Sequence, residues 1–290
     1  MRSVHTAILI ALLLTCGLSS ARDSIELDYR LQPGRDLVSE SVTDGITTIR
    51  IREDRGLVAK AAAKGVKFPH TMHIVKRQNV RHRTGPREKD GSFIAEMLFL
   101  GESTHLKLPN GNEELVPEKL NMKDMQLKAR VKADGSIPED TITVEGGDAS
   151  SHQFLRPILI SVLQQAANIP PVRIQDGVSS PQDVALQIPV PGLATLSIRM
   201  RIFYKLLEVA DGVAKVEMVY VLEFDSPAAG LKLKADGSGG GVMLYEVATQ
   251  TALSIKSTIV MTFSADTPEG VIEVRMNTQQ SQSTKEIAAR

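Results

Sequence analysis

One pattern constrains this chain more than any other, a strict alternation of apolar and polar residues with period two. From Leu196 to Leu206 every even position is apolar, and Ser197, Arg199, Arg201 and Lys205 stand between them. The run from Ala214 to Phe224 keeps the same even-position rule, with Lys215, Glu217 and Glu223 on the other side. Successive side chains of a strand point to opposite faces, so each run buries one face and wets the other. Between them Ala210-Asp211-Gly212 supplies a tight turn, because Gly tolerates positive φ and Asp bonds its neighbouring backbone. The reading is two long antiparallel strands with a single buried face.

The pattern recurs from Met125 to Val131, Ile255 to Phe263 and Ile272 to Met276. Weaker strands are expected near Ile25 to Leu31, Thr47 to Ile51, Phe93 to Leu100 and Val242 to Val247. Turn signals at Asp90-Gly91, Asn110-Gly111 and Glu269-Gly270 join them, which implies a large antiparallel sheet. Lys-Ala-Asp-Gly-Ser occurs at 132–136 and again at 234–238. Either the chain holds two pseudo-repeated halves joined near 149–170, or turn chemistry alone repeats the five residues. Gly237 to Gly241 read as a hairpin connection entering a strand.

One segment reads as an amphipathic helix, Ser151 to Asn168, with Leu155, Ile158, Leu159, Val162, Leu163 and Ala166 along one side. Pro157 suits its first turn, and Ile169-Pro170-Pro171 stops it. A shorter helix is expected around Val58 to Lys64. The fold class is therefore mainly β, within α+β: a large curved antiparallel sheet or half-barrel with one covering helix.

Residues 1–21 read as a secretory signal, with Arg2, an apolar run from Ala7 to Leu14, and the small residues Ser19 and Ala21 at a cleavage site. The run is shorter than the ~20 residues of a bilayer span. Residues 22–290 then form a single β-rich domain. Cys16 is the one cysteine, inside that signal. Cleavage after Ala21 removes it, whereas a lipoprotein signal would lipidate it, and only then would the protein be held at a membrane. In the first case a disulfide framework, a thiolate nucleophile and a zinc–thiolate site all disappear.

Catalytic signatures are missing. There is no Gly-x-Ser-x-Gly elbow, and the cluster Asp148, Ser150, Ser151, His152 is explained as a helix N-cap. His70 and His73 on one strand would face opposite ways, amid Lys76, Arg77, Arg81 and Arg83 that repel a cation, so no metal is expected and no cofactor either. The formal net charge is +0, yet Arg50 to Lys89 holds twelve Lys or Arg against Glu53, Asp54 and Glu88, a local excess of +9. That segment is either a basic edge for an anionic headgroup or protein partner, at Lys76, Arg77, Arg81 and Arg83, or a solvated strand edge whose charges block aggregation. Nucleic acid is not expected, since aromatic residues make up 4% and tryptophan is absent.

Leu27-Asp28-Tyr29-Arg30-Leu31-Gln32-Pro33-Gly34-Arg35-Asp36-Leu37 resembles the start of a family of uncharacterised bacterial envelope proteins and lipoproteins. Ile169-Pro170-Pro171-Val172 followed by Asp176-Gly177, and Gly237 to Gly241 entering a strand, are similar to that family's landmarks. The resemblance implies a curved sheet like those of periplasmic lipid- and lipoprotein-carrier half-barrels, and no catalytic residues. The long one-sided strands with their covering helix lead to the expectation of a non-enzymatic periplasmic or secreted protein that binds or chaperones a hydrophobic or amphipathic envelope component, with a lipid, a lipoprotein or an envelope protein as partner. Leu155, Leu159, Val162, Leu196, Ile198, Met200, Ile202, Val216, Met218 and Tyr220 would line its cavity. The alternative is an envelope scaffold for protein interaction with no small-molecule ligand.

Overall fold

The computed structural model describes residues 24–108, 111–116, 122–147, 149–175, 177–188, 196–228 and 231–287. Its strands are β1 Ser24–Leu27, β2 Asp36–Asp54, β3 His70–Thr84, β4 Phe93–Lys107, β5 Glu113–Leu115, β6 Gln126–Val131, β7 Thr143–Glu145 and β8 Val172–Gln175, followed by β9 Val178–Ser179, β10 Gln182–Ile188, β11 Leu196–Ala210, β12 Val213–Ala228, β13 Leu231–Glu246, β14 Thr251–Thr267 and β15 Gly270–Glu286. Among the described residues two helices accompany them, α1 Leu57–Ala63 and α2 Ala149–Ala167, with a 3₁₀ turn at Glu139–Thr141. All fifteen strands belong to one sheet of order β1-β8-β9-β11-β12-β13-β14-β15-β2-β3-β4-β6-β7, with β10 added to β11 and β5 to β4. Every pairing is antiparallel. The mainly β class expected from the alternation is the observed one.

The two long strands pair as their alternation requires. Met200 faces Leu222, Ile202 faces Tyr220 and Tyr204 faces Met218, so apolar meets apolar on one side of the ladder. Asp211 and Gly212 form the two-residue loop, both at positive φ (51° and 79°), the mirror-image turn whose twist matches that of the strands it joins. Carried strand to strand through the register, the face bearing these residues is the packed face, and its opposite is the wet face. In β15 the contrast is plain: Arg275, Asn277, Gln279 and Ser281 are exposed, and Val274, Met276, Thr278 and Gln280 between them are half-buried.

Two apolar clusters occupy the packed face near opposite ends of the strand order. One joins Val216, Met218, Tyr220, Met243 and Tyr245 to Leu27 of β1 and Ile174 of β8. The other joins Phe93, Phe99, Leu127, Val131 and Val144 on β4, β6 and β7. Helix α2 lies over the second cluster, with Ile160 buried and Leu155, Leu159, Leu163 and Ala167 packed against it. That helix connects β7, at one end of the order, to β8, near the other, and it also touches β10. Its 19 residues reach about 28 Å at 1.5 Å per residue. The sheet is therefore curled so that one short helix bridges its two flanks. Pro157 sits inside α2 rather than in its first turn.

The glycine run departs from its expected role. Gly237 to Gly241 lie within β13 and not in a hairpin connection. Tyr220 lies across Gly239, where a Cβ would come 2.5 Å from the tyrosine Cε2 and 2.4 Å from the carbonyl oxygen of Thr258. A missing side chain here makes room for a large one on the neighbouring strand. The five-residue near-repeat also divides: 132–136 forms a turn, closed by Lys132 N–H on the Ser136 carbonyl, whereas 234–238 is plain strand.

Candidate functional site

After β1 the chain turns across one end of the sheet as a strap, residues 28–35. Asp28 is 3% exposed. Its backbone N–H donates to the Tyr245 hydroxyl (3.0 Å), and that hydroxyl donates to the Asp28 carbonyl (3.2 Å). The Asp28 carboxylate takes a bidentate guanidinium from Arg30, 2.6 Å at the shorter contact, which holds the carboxyl below its usual range. Tyr29 lies against Tyr204 and Tyr245, ring centroids 6.5 and 6.4 Å apart, and burial pushes all three phenols up. Further along, Gln32 donates to Gln250 (2.8 Å), Thr84 Oγ1 donates to the Gln32 carbonyl (2.6 Å), and Arg35 reaches Glu286 (2.8 Å) and the Thr249 carbonyl (3.0 Å). The strap thereby ties β3, β13, the β13–β14 turn and β15 together at one end.

Beneath it is a pocket of about 200 Å³ against the packed face, lined by Tyr29, Gln32, Ser39, His82, Gln282 and Thr284 among others. Burial lowers the His82 pKa, so the ring is neutral near pH 7. No carboxylate lines this pocket. His82 has no hydrogen-bond partner among the described residues, so no triad forms around it.

From this pocket a polar ladder runs down the middle of the packed face. Ser39 pairs with Thr284, Ser41 with Gln282, and Thr43 with Gln280, hydroxyl opposite hydroxyl or amide at every step. The Ser39 and Thr284 hydroxyls are 3.0 Å apart. Apart from Ser39, which is buried, these side chains are half-exposed. Gln78 and Lys76 on β3 extend the strip, since they pair with Ser41 and Thr43. Lys76 is ion-paired with Glu102, whose side chain is 2% exposed and also accepts the Met122 N–H (3.1 Å). The packed face thus changes from apolar at its two flanks to polar in its centre, where the charged pair beside the ladder, Lys76 and Glu102, is mutually neutralised.

The expected cavity residues fall into two groups. Met200, Ile202, Val216, Met218 and Tyr220 belong to the first cluster, where Val216, Met218 and Tyr220 are 0 to 8% exposed. Leu155 and Leu159 belong to the second. The side chains of Val162, Leu196 and Ile198 lie outside the described residues, as do residues 1–21 with Cys16. The basic run is likewise rearranged. Strand β3 lies between β2 and β4 and is not a sheet edge. Arg77 pairs with Glu113 (2.8 Å) and Arg81 with Asp36 (2.6 Å), and Lys76 turns to the packed face while Arg83 stays exposed. His70 and His73 do face opposite sides, with His73 against Asp44 (2.5 Å). Among the described residues no three His, Cys, Asp or Glu gather as metal ligands. The polar ladder escaped sequence reading because Ser, Thr and Gln at alternate positions look like a wet face; only the register shows both partners on the packed side.

No protein-family model and no curated protein matches the chain. Among solved structures it aligns with OccK7 (OpdD) of Pseudomonas aeruginosa at 7% identity and TM-score 0.27, over 88% of this chain and 100% of that one. It also aligns with OpdQ of the same organism at 7% identity and TM-score 0.28, over 87% and 99%. A third is Ail, the attachment invasion locus protein of Yersinia pestis, at 6% identity and TM-score 0.20, over 87% and 99%. These are outer-membrane β-barrels and not periplasmic carriers. The resemblance to envelope lipoproteins and carrier half-barrels is thereby overturned. With it go the carrier function, the scaffold alternative derived beside it, and the periplasmic or secreted address. At these TM-scores no role passes from the aligned proteins to this chain. Nor does the wet face of β15, with Arg275, Asn277, Gln279 and Ser281, have the apolar band of a lipid-facing strand.

Proposed function

We propose that the protein is a non-enzymatic binding protein that holds an uncharged, hydrogen-bonding ligand against the polar ladder of the packed face. The observation that supports this is the ladder itself, Ser41–Gln282 and Thr43–Gln280, half-exposed on a face whose flanks are fully packed with apolar side chains. Amides and hydroxyls offer both donors and acceptors, and their desolvation is offset only when a ligand satisfies them. With no charge on the ladder itself, a neutral ligand rich in amides or hydroxyls fits better than an ionic one. The pocket under the strap, with Gln32 and Gln282 on its wall, would take the ligand's end.

Titration calorimetry against neutral oligosaccharides and uncharged peptides tests the reading. Binding that is insensitive to salt and weakens tenfold or more in Thr43→Val/Gln280→Leu is the expected result. Ligands bound equally well by that variant, or an absence of binding by every probe at millimolar concentration, would refute it.

A further inference from the structure

The wet face of β11 and β12 carries an exposed apolar centre. Phe203, Val219 and Val221 are 39%, 48% and 41% exposed, and Phe203 is directly opposite Val219 in the ladder. Charges flank this apolar centre in register: Arg199 is opposite Glu223 on one side, and Lys205 is opposite Glu217 on the other. Along β11 the wet face therefore reads Arg199, Arg201, Phe203, Lys205. Along β12 it reads Glu217, Val219, Val221, Glu223. One strand is basic around an aromatic, its neighbour acidic around two valines. A pocket of about 460 Å³ opens at the Arg199–Glu223 side, where Arg201 is held by Asp183 (2.7 Å).

We propose that this face is the contact surface for a second copy of the chain. A two-fold axis parallel to the strands, placed between β11 and β12, lays the β11 of one copy over the β12 of the other at the same height. Each residue then meets its own ladder partner's counterpart. Arg199 comes over Glu223, Phe203 over Val219, and Lys205 over Glu217, each contact made twice. Arg201 extends its apolar stem over Val221. Opposite charge or shared apolarity at these three register pairs is what makes the surface self-complementary, as an isologous interface requires. Burial of the apolar centre supplies the attraction, and the flanking charges set the register. Sheets packed face to face keep their strands within about 30° of alignment, which this axis allows.

Sedimentation equilibrium on the full chain, with Lys205→Glu and Glu217→Lys, tests the arrangement. The wild type is expected to dimerise with a micromolar constant, and each variant alone to weaken that at least tenfold. Mixing the two variants is the decisive arm. In the mixture Glu at position 205 of one copy meets Lys at 217 of the other, and Lys at 205 meets Glu at 217, so a heterodimer re-forms. A wild type that stays monomeric to about 200 μM, single variants that dimerise unimpaired, or a mixture that fails to associate would each overturn the proposal. Should a charge variant fail to fold, Phe203→Cys mixed with Val219→Cys replaces it. Mild oxidation then cross-links the two chains, and the absence of a cross-link counts against the interface.

Discussion

Replacing Tyr245 by Phe removes one oxygen atom and isolates what fastens the strap. Tyr245 is 0% exposed, and its hydroxyl both accepts from the Asp28 N–H and donates to the Asp28 carbonyl. Asp28 follows the end of β1, so no ladder bond of that strand serves its backbone. Two hydrogen bonds at about 1 kcal/mol each are lost, and the desolvated Asp28 amide is left without a partner, which raises the total to about 2–4 kcal/mol. The ring stays, so packing against Tyr29 and Met243 is retained. Urea unfolding followed by circular dichroism reads the effect: at an m value of about 3 kcal/mol/M the midpoint falls by about 1 M with the slope unchanged. Tyr204→Phe is the internal comparison. It gives up the bond to Gln182, at 3.0 Å, and leaves the backbone bonds of the strap in place, and is expected to cost about 1 kcal/mol. Loss of less than about 0.5 kcal/mol in Tyr245→Phe would refute the claim that the strap is held by this hydroxyl, since a shared backbone pair cannot be cheaper than one side-chain bond.

Other perturbations reach the remaining parts of the fold. Gly239→Val places side-chain atoms where the Tyr220 ring lies, and a loss of about 3 kcal/mol in thermal or urea unfolding is expected, partly relieved by Tyr220→Ala in the same chain. Lys76→Met leaves the Glu102 carboxylate buried and without its cation, and it should destabilise by about 2 kcal/mol, given that Lys76 itself is partly exposed; Arg83→Met, on the wet face, should change stability by less than about 0.5 kcal/mol. His82 titrates below its ordinary 6.5 in the folded chain, so the unfolded chain takes up the proton first. Its contribution is therefore whole above about pH 6.5 and is lost as pH falls toward the folded value, at up to about 1.4 kcal/mol per pH unit, and His82→Gln should flatten that part of a stability–pH curve.

What was legible in the sequence follows from how each kind of information is stored. Alternation from Leu196 to Phe224 is local, and the hairpin it implied is present with its Asp211-Gly212 turn and its even-position packing. The helix was readable for the same reason, because Leu155, Leu159 and Leu163 fall one above another within the segment itself. Turn-favouring composition misled at Gly237 to Gly241. Glycine is blind to whether it bends a chain or clears space for a neighbour, and here Tyr220 across the ladder decides it. Charge was only half of the information at β3. A run of Lys and Arg leaves a partner-binding edge and a solvated strand both open, and the acidic partners Asp36 of β2, Glu102 of β4 and Glu113 of β5 come from elsewhere in the chain.

The same distinction explains why the cavity expected from the sequence and the site proposed on the polar ladder are different places. Sequence patterns rank positions by hydrophobicity, so they point to Val216, Met218 and Tyr220, residues that fill the interior and meet one another there. A binding surface is marked by groups whose hydrogen-bonding capacity the fold itself leaves only partly used. In this chain those groups are hydroxyls and amides, contributed alternately by two strands that begin at residues 36 and 270. Neither strand carries the signal alone: Ser39, Ser41 and Thr43 look like ordinary solvent-facing residues, as do Gln280, Gln282 and Thr284. Their pairing across β2 and β15, on the side where both flanks pack apolar residues, converts two bland stretches into one polar track. A sheet this wide can place such a track at its centre because the flanks, sealed separately by α2 and by the β1–β8 edge, hold the fold without it. Stability and the proposed binding are thus separable on this face. Substitutions along the ladder should alter binding with little loss of stability, and substitutions in either apolar cluster should do the reverse.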